Sequence, residues 1–294
     1  MAMDRYDYLP GGGRGALKWP GEARLALWVC PNIEYFHIDK PLQAASSPHL
    51  PDIQSYSLRD YGSRIGIFRI MDVLDKHGIR ASVLLNSDVC EHHPAIIEEG
   101  KKRRWEWLGH GITNNLRLSQ YPLEEERSVI RKVRDTITAA VGTAPKGWLG
   151  PGLAETFNTP DHLAAEGFEY VCDWACDDQP IPMRVRNGRM IALPYQQGVN
   201  DISLLLHSNQ TPEAYRQQVC DQFDTLYKEG AESGRVMAIP LHPFITGLPY
   251  RIKYLDKALD YICSHDGVWR ATGWEIADWY YQHYYKDPGP LDPQ

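Results

Sequence analysis

The polar residues most able to do chemistry stand directly after apolar runs. Glu34 follows residues 23–30, His110 follows 105–109, Asp173 with Asp177 and Asp178 follows 168–172, and His242 follows 236–241. Two imidazoles and several carboxylates, once gathered, supply a general base, a general acid and groups that set their protonation. Short apolar runs suit buried strands, and positions just past parallel strand ends share one rim, where α/β folds collect ligand chemistry. Pro31 lacks a backbone donor and is expected to end the first strand. Plainer readings exist for each residue. Glu34 suits a solvated loop, His110 between Gly109 and Gly111 suits a tight turn, His242 is held extended by Pro243, and Asp177 and Asp178 suit turn caps. Their common position after strands favours chemistry. His92, His93 and His283 sit beside helix ends and read as exposed.

Helix-like periodicity over 62–77, with Gly78 as a left-handed stop, precedes a strand over 79–85. A helix at 94–104, a strand at 105–109 and a helix at 122–141 follow, the last with Glu124, Glu125 and Glu126 at its positive end. Strands near 148–149, 168–172, 190–193 and 236–241 alternate with helices at 159–166 and 212–227, and helices at 255–264 and 274–285 close the chain. Alternation of this kind predicts an α/β fold: a parallel sheet with right-handed crossovers, curled into a distorted (β/α) barrel of about seven parallel strand-helix units. Residues 41–56, rich in Pro, Ser and Asp, read as a long loop covering a site.

At 294 residues with 43% hydrophobic content, the chain suits one domain over 1–294. Residues 1–21, with Gly11, Gly12, Gly13, Gly15 and Pro20, read as an N-terminal arm. A formal net charge of -7 and a pI near 5.9 argue against nucleic-acid partners. The cluster from Lys101 to Arg104 reads as a solvated helix end. An acidic start and the absence of a long apolar run predict a cytoplasmic protein without a membrane partner. Six scattered cysteines read as reduced thiols, not a structural zinc site. The aromatic end, Trp279 to Tyr285, suits either a subunit contact or the core, so a homo-oligomer stays open.

In order along the chain, certain motifs resemble the polysaccharide deacetylase superfamily, also called carbohydrate esterase family four or NodB-like. They are Asn32-x-Glu34, Gly147-Trp148, Asp173 with Asp177-Asp178-x-Pro180, Phe223-Asp224-x-Leu226-Tyr227-x-Glu229-Gly230, Leu241-His242-Pro243, Gly267-Val268-Trp269, Ala271-Thr272 and Glu275-Ile276-Ala277. The resemblance spans about residues 23–281 and is nearest the branch with metal-independent allantoinases. It implies a general base at Glu34. It also implies metal ligands where this chain has Tyr35, His110 and Asn114, so two of three expected ligands are replaced. A phenol and an amide are poor substitutes for a carboxylate and an imidazole. No cofactor is therefore expected; the alternative is a divalent metal such as zinc on a rebuilt site of Glu34, His110 and a further histidine, His242 or His37. Where the family places an arginine beside the catalytic carboxylate, this chain reads Gly147-Trp148-Leu149-Gly150-Pro151-Gly152.

The resulting expectation is a hydrolase of a non-peptide C–N bond in a small-molecule substrate, such as a cyclic amide or ureide. Glu34 is its base and His242 its acid. Asp173 or Asp178 orients a histidine or binds substrate N–H groups, and His110 and Asn114 hold an oxyanion. Asn32 and Tyr35 contact substrate, and Trp148 and Trp174 wall the pocket. Two rivals remain open: a metal-dependent deacetylase of an N-acetylated sugar or small molecule, and a non-catalytic binding protein on the same barrel.

Overall fold

The computed structural model describes residues 5–10, 15–40, 50–289 and 291. The chain runs β1 (Leu25–Ile33), α1 (Ile53–Tyr61), α2 (Ile67–Lys76), β2 (Ser82–Leu85), α3 (Val89–His92), α4 (Pro94–Lys102), β3 (Glu106–Gly109) and α5 (Glu126–Val141). It continues through β4 (Gly147–Trp148), α6 (Thr159–Ala165), β5 (Tyr170–Val171), β6 (Ile181–Met183), β7 (Met190–Ala192) and α7 (Pro212–Glu229). Last come β8 (Arg235–Leu241), α8 (Pro243–Thr246), α9 (Ile252–Cys263), β9 (Val268–Arg270) and α10 (Gly273–His283).

Among the described residues the strands form one curled sheet in the order β6-β7-β5-β4-β3-β2-β1-β8, with β9 also paired to β1. All pairings are parallel except the β6–β7 hairpin. The distorted (β/α) barrel is therefore present, with β6 and β9 added to the strands expected from sequence. No backbone ladder joins β6 to β8; side chains and a loop span that gap. Gln196 donates to Val236 O at 2.8 Å and accepts from Ala238 N at 2.6 Å, while Val236 N donates to Asp178 O at 2.8 Å.

β1 is buried along its whole length, as a strand covered on both faces must be. Its residues alternate between two cores. Leu25, Leu27 and Val29 pack into the helix layer, whereas Ala26, Trp28 and Cys30 join Leu84, Leu108, Leu149 and Tyr170 inside the barrel. Pro31 does not end the strand. It sits opposite Leu241, and Asn32 and Ile33 go on to pair with Leu84 and Leu85. A missing donor removes one bond toward one neighbour and leaves the adjacent strand's ladder intact.

Residues 41–49 of the expected loop lie outside the described residues, as do 1–4 and 11–14 of the arm. Residues 53–56 are helical instead, because Asp52 caps α1 by accepting from Ser55 N at 3.0 Å. α1 then runs through a wide π-helical turn at Gly62–Gly66 into α2. That turn lies against α8, where a Cβ on Gly66 would stand 2.2 Å from Pro243 O. The segment after His242 and the helix after the first strand are thereby locked together.

The arm docks through Arg5, which grips Asp161 at 3.0 and 2.9 Å, and through Trp19, buried beside Trp269. The aromatic end belongs to this packing: Tyr280 and Tyr281 are buried, and Trp279 Nε1 donates to Lys18 O at 2.9 Å. All six cysteines are free. Among the described residues no helix is long and apolar enough to cross a membrane.

Candidate active site

Period-two alternation continues past β1. Trp28, Cys30, Asn32 and Glu34 fall on the barrel-facing side, so the Glu34 side chain, only 8% exposed, enters the barrel mouth. Asn114 Nδ2 donates to Glu34 Oε1 at 2.7 Å, and Oε2 takes no hydrogen bond from the described residues. His110 Nε2 and His242 Nε2 stand 3.6 and 3.9 Å from Oε1. The three residues come from the ends of β1, β3 and β8 and meet as their position after strands predicted.

Both histidines are held from behind. His242 Nδ1 lies 2.7 Å from Asp201 Oδ1, and the other Asp201 oxygen accepts from His242 N at 2.7 Å and from Thr246 Oγ1 at 2.6 Å. A carboxylate partner fixes the proton on Nδ1 and leaves Nε2 directed at the hollow. His110 Nδ1 lies 2.6 Å from the Leu149 carbonyl, which can only accept; its Nε2 is buried without a hydrogen-bond partner. The tight turn expected around His110 does not form, since His110 N still donates to Leu85 O at 3.0 Å along the sheet; Gly111 beside it has φ +71°, and a Cβ there would press 2.8 Å from Pro151 Cγ.

Electrostatics separates base from acid. Burial alone would push Glu34 upward, but the approach of His110 and the charges of His242 and Arg59 more than offset it and hold the carboxyl below its ordinary 4.5. Burial would lower His242, yet the Asp201 charge and hydrogen bond, with Glu34 behind them, raise it above 6.5. An ionised Glu34 thus faces a protonated His242 at 3.9 Å, close enough for both to touch one water molecule or substrate atom lying beside them.

The other predicted residues scatter. Asn32 is buried and donates to Tyr195 Oη at 2.9 Å and Leu241 O at 3.1 Å, tying β1 to β8. Tyr35 turns outward and stacks on His92 at 4.2 Å, while His37 Nε2 pairs with Asp88 at 3.1 Å. Trp148 is fully buried on the helix-facing side against Phe168. Asp178 lies at the seam with Gln196. Asp173 touches neither Glu34 nor His242. Both its oxygens accept from Gly150 N, at 2.9 and 3.0 Å, so it reaches His110 only through the Leu149–Gly150 peptide. Glu155 faces it, and burial drives both carboxyls up, Glu155 to about 7, with the Glu155 charge raising Asp173 further. Trp174 Nε1 donates to Glu155 at 2.9 Å, and these groups line a cavity of about 460 Å³ with Arg5 and Phe157.

Sequence reasoning missed Asp201, Asn86 and Arg59. Asp201 follows no apolar run; its signal was being the sole carboxylate between Arg189 and Glu213. Asn86, just past β2, accepts from Tyr35 N at 2.9 Å and donates to His110 O, splinting the Glu34 and His110 loops. Arg59 lay within α1, next to the segment read as a loop.

The donor set does not fit the metal site implied by the resemblance. At the second-motif position Asn114 turns its N–H toward Glu34, and Tyr35 faces His92. Among the described residues, the ligand atoms that gather within 4.8 Å of one another are those of His77, at the end of α2, and of Asp256 and Asp260, within α9. There Lys76 Nζ already sits 2.7 Å from Asp256.

Residues 56–171 match the model of the family described as polysaccharide deacetylase. A putative polysaccharide deacetylase of Schizosaccharomyces pombe is 26% identical over 289 residues, covering 90% of this chain and 88% of its own. The crystal structure of Puue allantoinase superposes with TM-score 0.84 at 27% identity, covering 95% of this chain and 100% of that one. A probable polysaccharide deacetylase from Pseudomonas aeruginosa PAO1 gives TM-score 0.84 at 26% identity over 95% and 99% of the two chains.

Proposed function

We propose that this chain, which belongs to the polysaccharide deacetylase family, hydrolyses a non-peptide C–N bond in a small molecule, a cyclic amide or ureide. The observation that carries this reading is Glu34 Oε1 facing His242 Nε2 at 3.9 Å, with His242 backed by Asp201. Ionised Glu34 takes a proton from water as its oxygen attacks the carbonyl carbon. His242 Nε2–H passes its proton to the departing nitrogen while the C–N bond breaks, and Asp201 stabilises the imidazolium until then. His110, 3.6 Å from the base, borders the same hollow; with its Nδ1 proton committed to Leu149 O, its Nε2 faces the substrate as an acceptor, the group we assign to a substrate N–H. Asn114 orients Glu34 in this scheme, since its N–H is already committed there.

The test is turnover of a panel of ureides, hydantoins, lactams and N-acetyl compounds. Glu34→Gln and His242→Ala should each lower kcat by roughly 10²–10⁴-fold with an intact circular dichroism spectrum. Unchanged rates in either variant would remove the assignment. A second reading, a metal-dependent deacetylase, draws on the relatives' names and on the unpartnered His110 Nε2. It requires stoichiometric zinc in protein purified without added ions and loss of activity on chelation.

A further inference from the structure

We propose that Arg59 is the receptor for a carboxylate carried by the substrate, which narrows the substrates of the proposed hydrolase to anionic amides and ureides. The inference rests on the reading of Glu34 as the reacting centre. Arg59 projects from α1 and borders both narrow hollows that Glu34 borders, one beside Tyr56 and His93 and the other beside Asn32 and Phe244. Its guanidinium lies 4.8 Å from the Phe36 ring centroid and 5.0 Å from that of Phe244. Two aromatic faces attract the cation and fix its plane. Among the described residues its single hydrogen bond runs from Nη1 to Ser55 O at 3.1 Å, and Nε is buried without a partner.

A guanidinium drawn from water with part of its fork unclaimed is costly unless something arrives to pair with it. Glu34 is not that partner. Its Oε1 is taken by Asn114, and no carboxylate of the described residues lies within 4.0 Å of Arg59. The charges of Glu34 and Asp52 act on Arg59 only at longer range, while burial weakens its hold on the proton. With Nη1 committed to Ser55 O, the Nε–Nη2 side of the planar fork matches the two coplanar oxygens of a carboxylate. A substrate anchored there by its carboxylate keeps its neutral, scissile amide for Glu34 and His242.

The experiment uses matched pairs that differ only in charge, hydantoin-5-acetate with hydantoin-5-acetamide and N-carbamoylglycine with its amide. Binding is measured by calorimetry, and KM and kcat where turnover occurs, for the wild type, Arg59→Gln, Arg59→Lys and Glu34→Gln. We expect the wild type to favour the carboxylate member of at least one pair by about tenfold or more. Arg59→Gln should erase that preference, raising KM for the anion more than it lowers kcat, and Arg59→Lys should restore part of it. Equal affinity for both members, no binding of any, or a preference that survives in Arg59→Gln overturns the proposal. So does an equal kcat loss on both members with a shifted acid limb of the pH profile, which marks an action on Glu34 instead. If the wild type binds the anion through Arg59 but hydrolyses nothing, as Glu34→Gln does, the hydrolase reading falls and the receptor stands.

Discussion

Two buried carboxyl sites share the barrel rim and reach opposite charge states. Burial pushes upward on both, but at the β1 end His110, His242 and Arg59 surround Glu34 and keep it ionised. At the β4–β5 end Asp173 meets a second carboxyl, Glu155, and both are driven up. The two sites touch through one peptide unit: Leu149 O accepts from His110, and Gly150 N donates to Asp173. Being buried past a strand end therefore does not make a carboxyl a base. The charges facing it decide, and Glu34 is the one of the three held fully ionised near neutral pH.

The largest way to break this contrast is to remove the charge behind the acid. Asp201→Asn should lower kcat by roughly 10²-fold or more and move the alkaline limb of the rate profile to lower pH, because the Asp201 charge is what raises His242. A limb left in place would show that His242 is not the group titrating. In the wild type the profile should be bell-shaped: Glu34 must be ionised, which its lowered value allows from below pH 4.5, and His242 protonated, which its raised value preserves beyond 6.5.

A smaller effect is expected from the other end of the rim. Asp173→Asn removes one acceptor from Gly150 N and should cost kcat less than about tenfold, since the change reaches His110 only through a peptide. A loss as deep as that of Glu34→Gln would give Asp173 a direct catalytic part. The smallest effect is on stability. Glu155 sits near 7 in the fold, well above an unfolded carboxyl, so the native state holds the extra proton. Stability is then whole below the unfolded value and falls as pH rises through 7. Glu155→Gln, which carries no charge at any pH, should raise Tm at pH 8 and leave it nearly unchanged at pH 4; a parallel offset at both would show that the Glu155 proton is not linked to folding.

Much of the site was legible because strand ends and period-two alternation are local properties. Glu34, His110 and His242 each announced themselves by following an apolar run, and an even spacing from Trp28 aims Glu34 into the barrel. The same rule misjudged Trp148. It is an outward position of β4, so it packs on Phe168 in the helix layer while its neighbour Leu149 faces inward. Pro31 was misjudged for a related reason, because a lost donor interrupts one ladder and the strand has two.

The chain by itself determined the alternating α/β order, the rim that carries the reactive groups and the replacement of a ligand histidine by Asn114. Only the tertiary structure decided which carboxylate stands behind His242, which guanidinium stands over the hollow and which acid keeps its proton. Asp201 and Arg59 reach the mouth from a loop and a helix with no periodic signature, and charge state depends on neighbours far apart in sequence, brought together when the sheet curls.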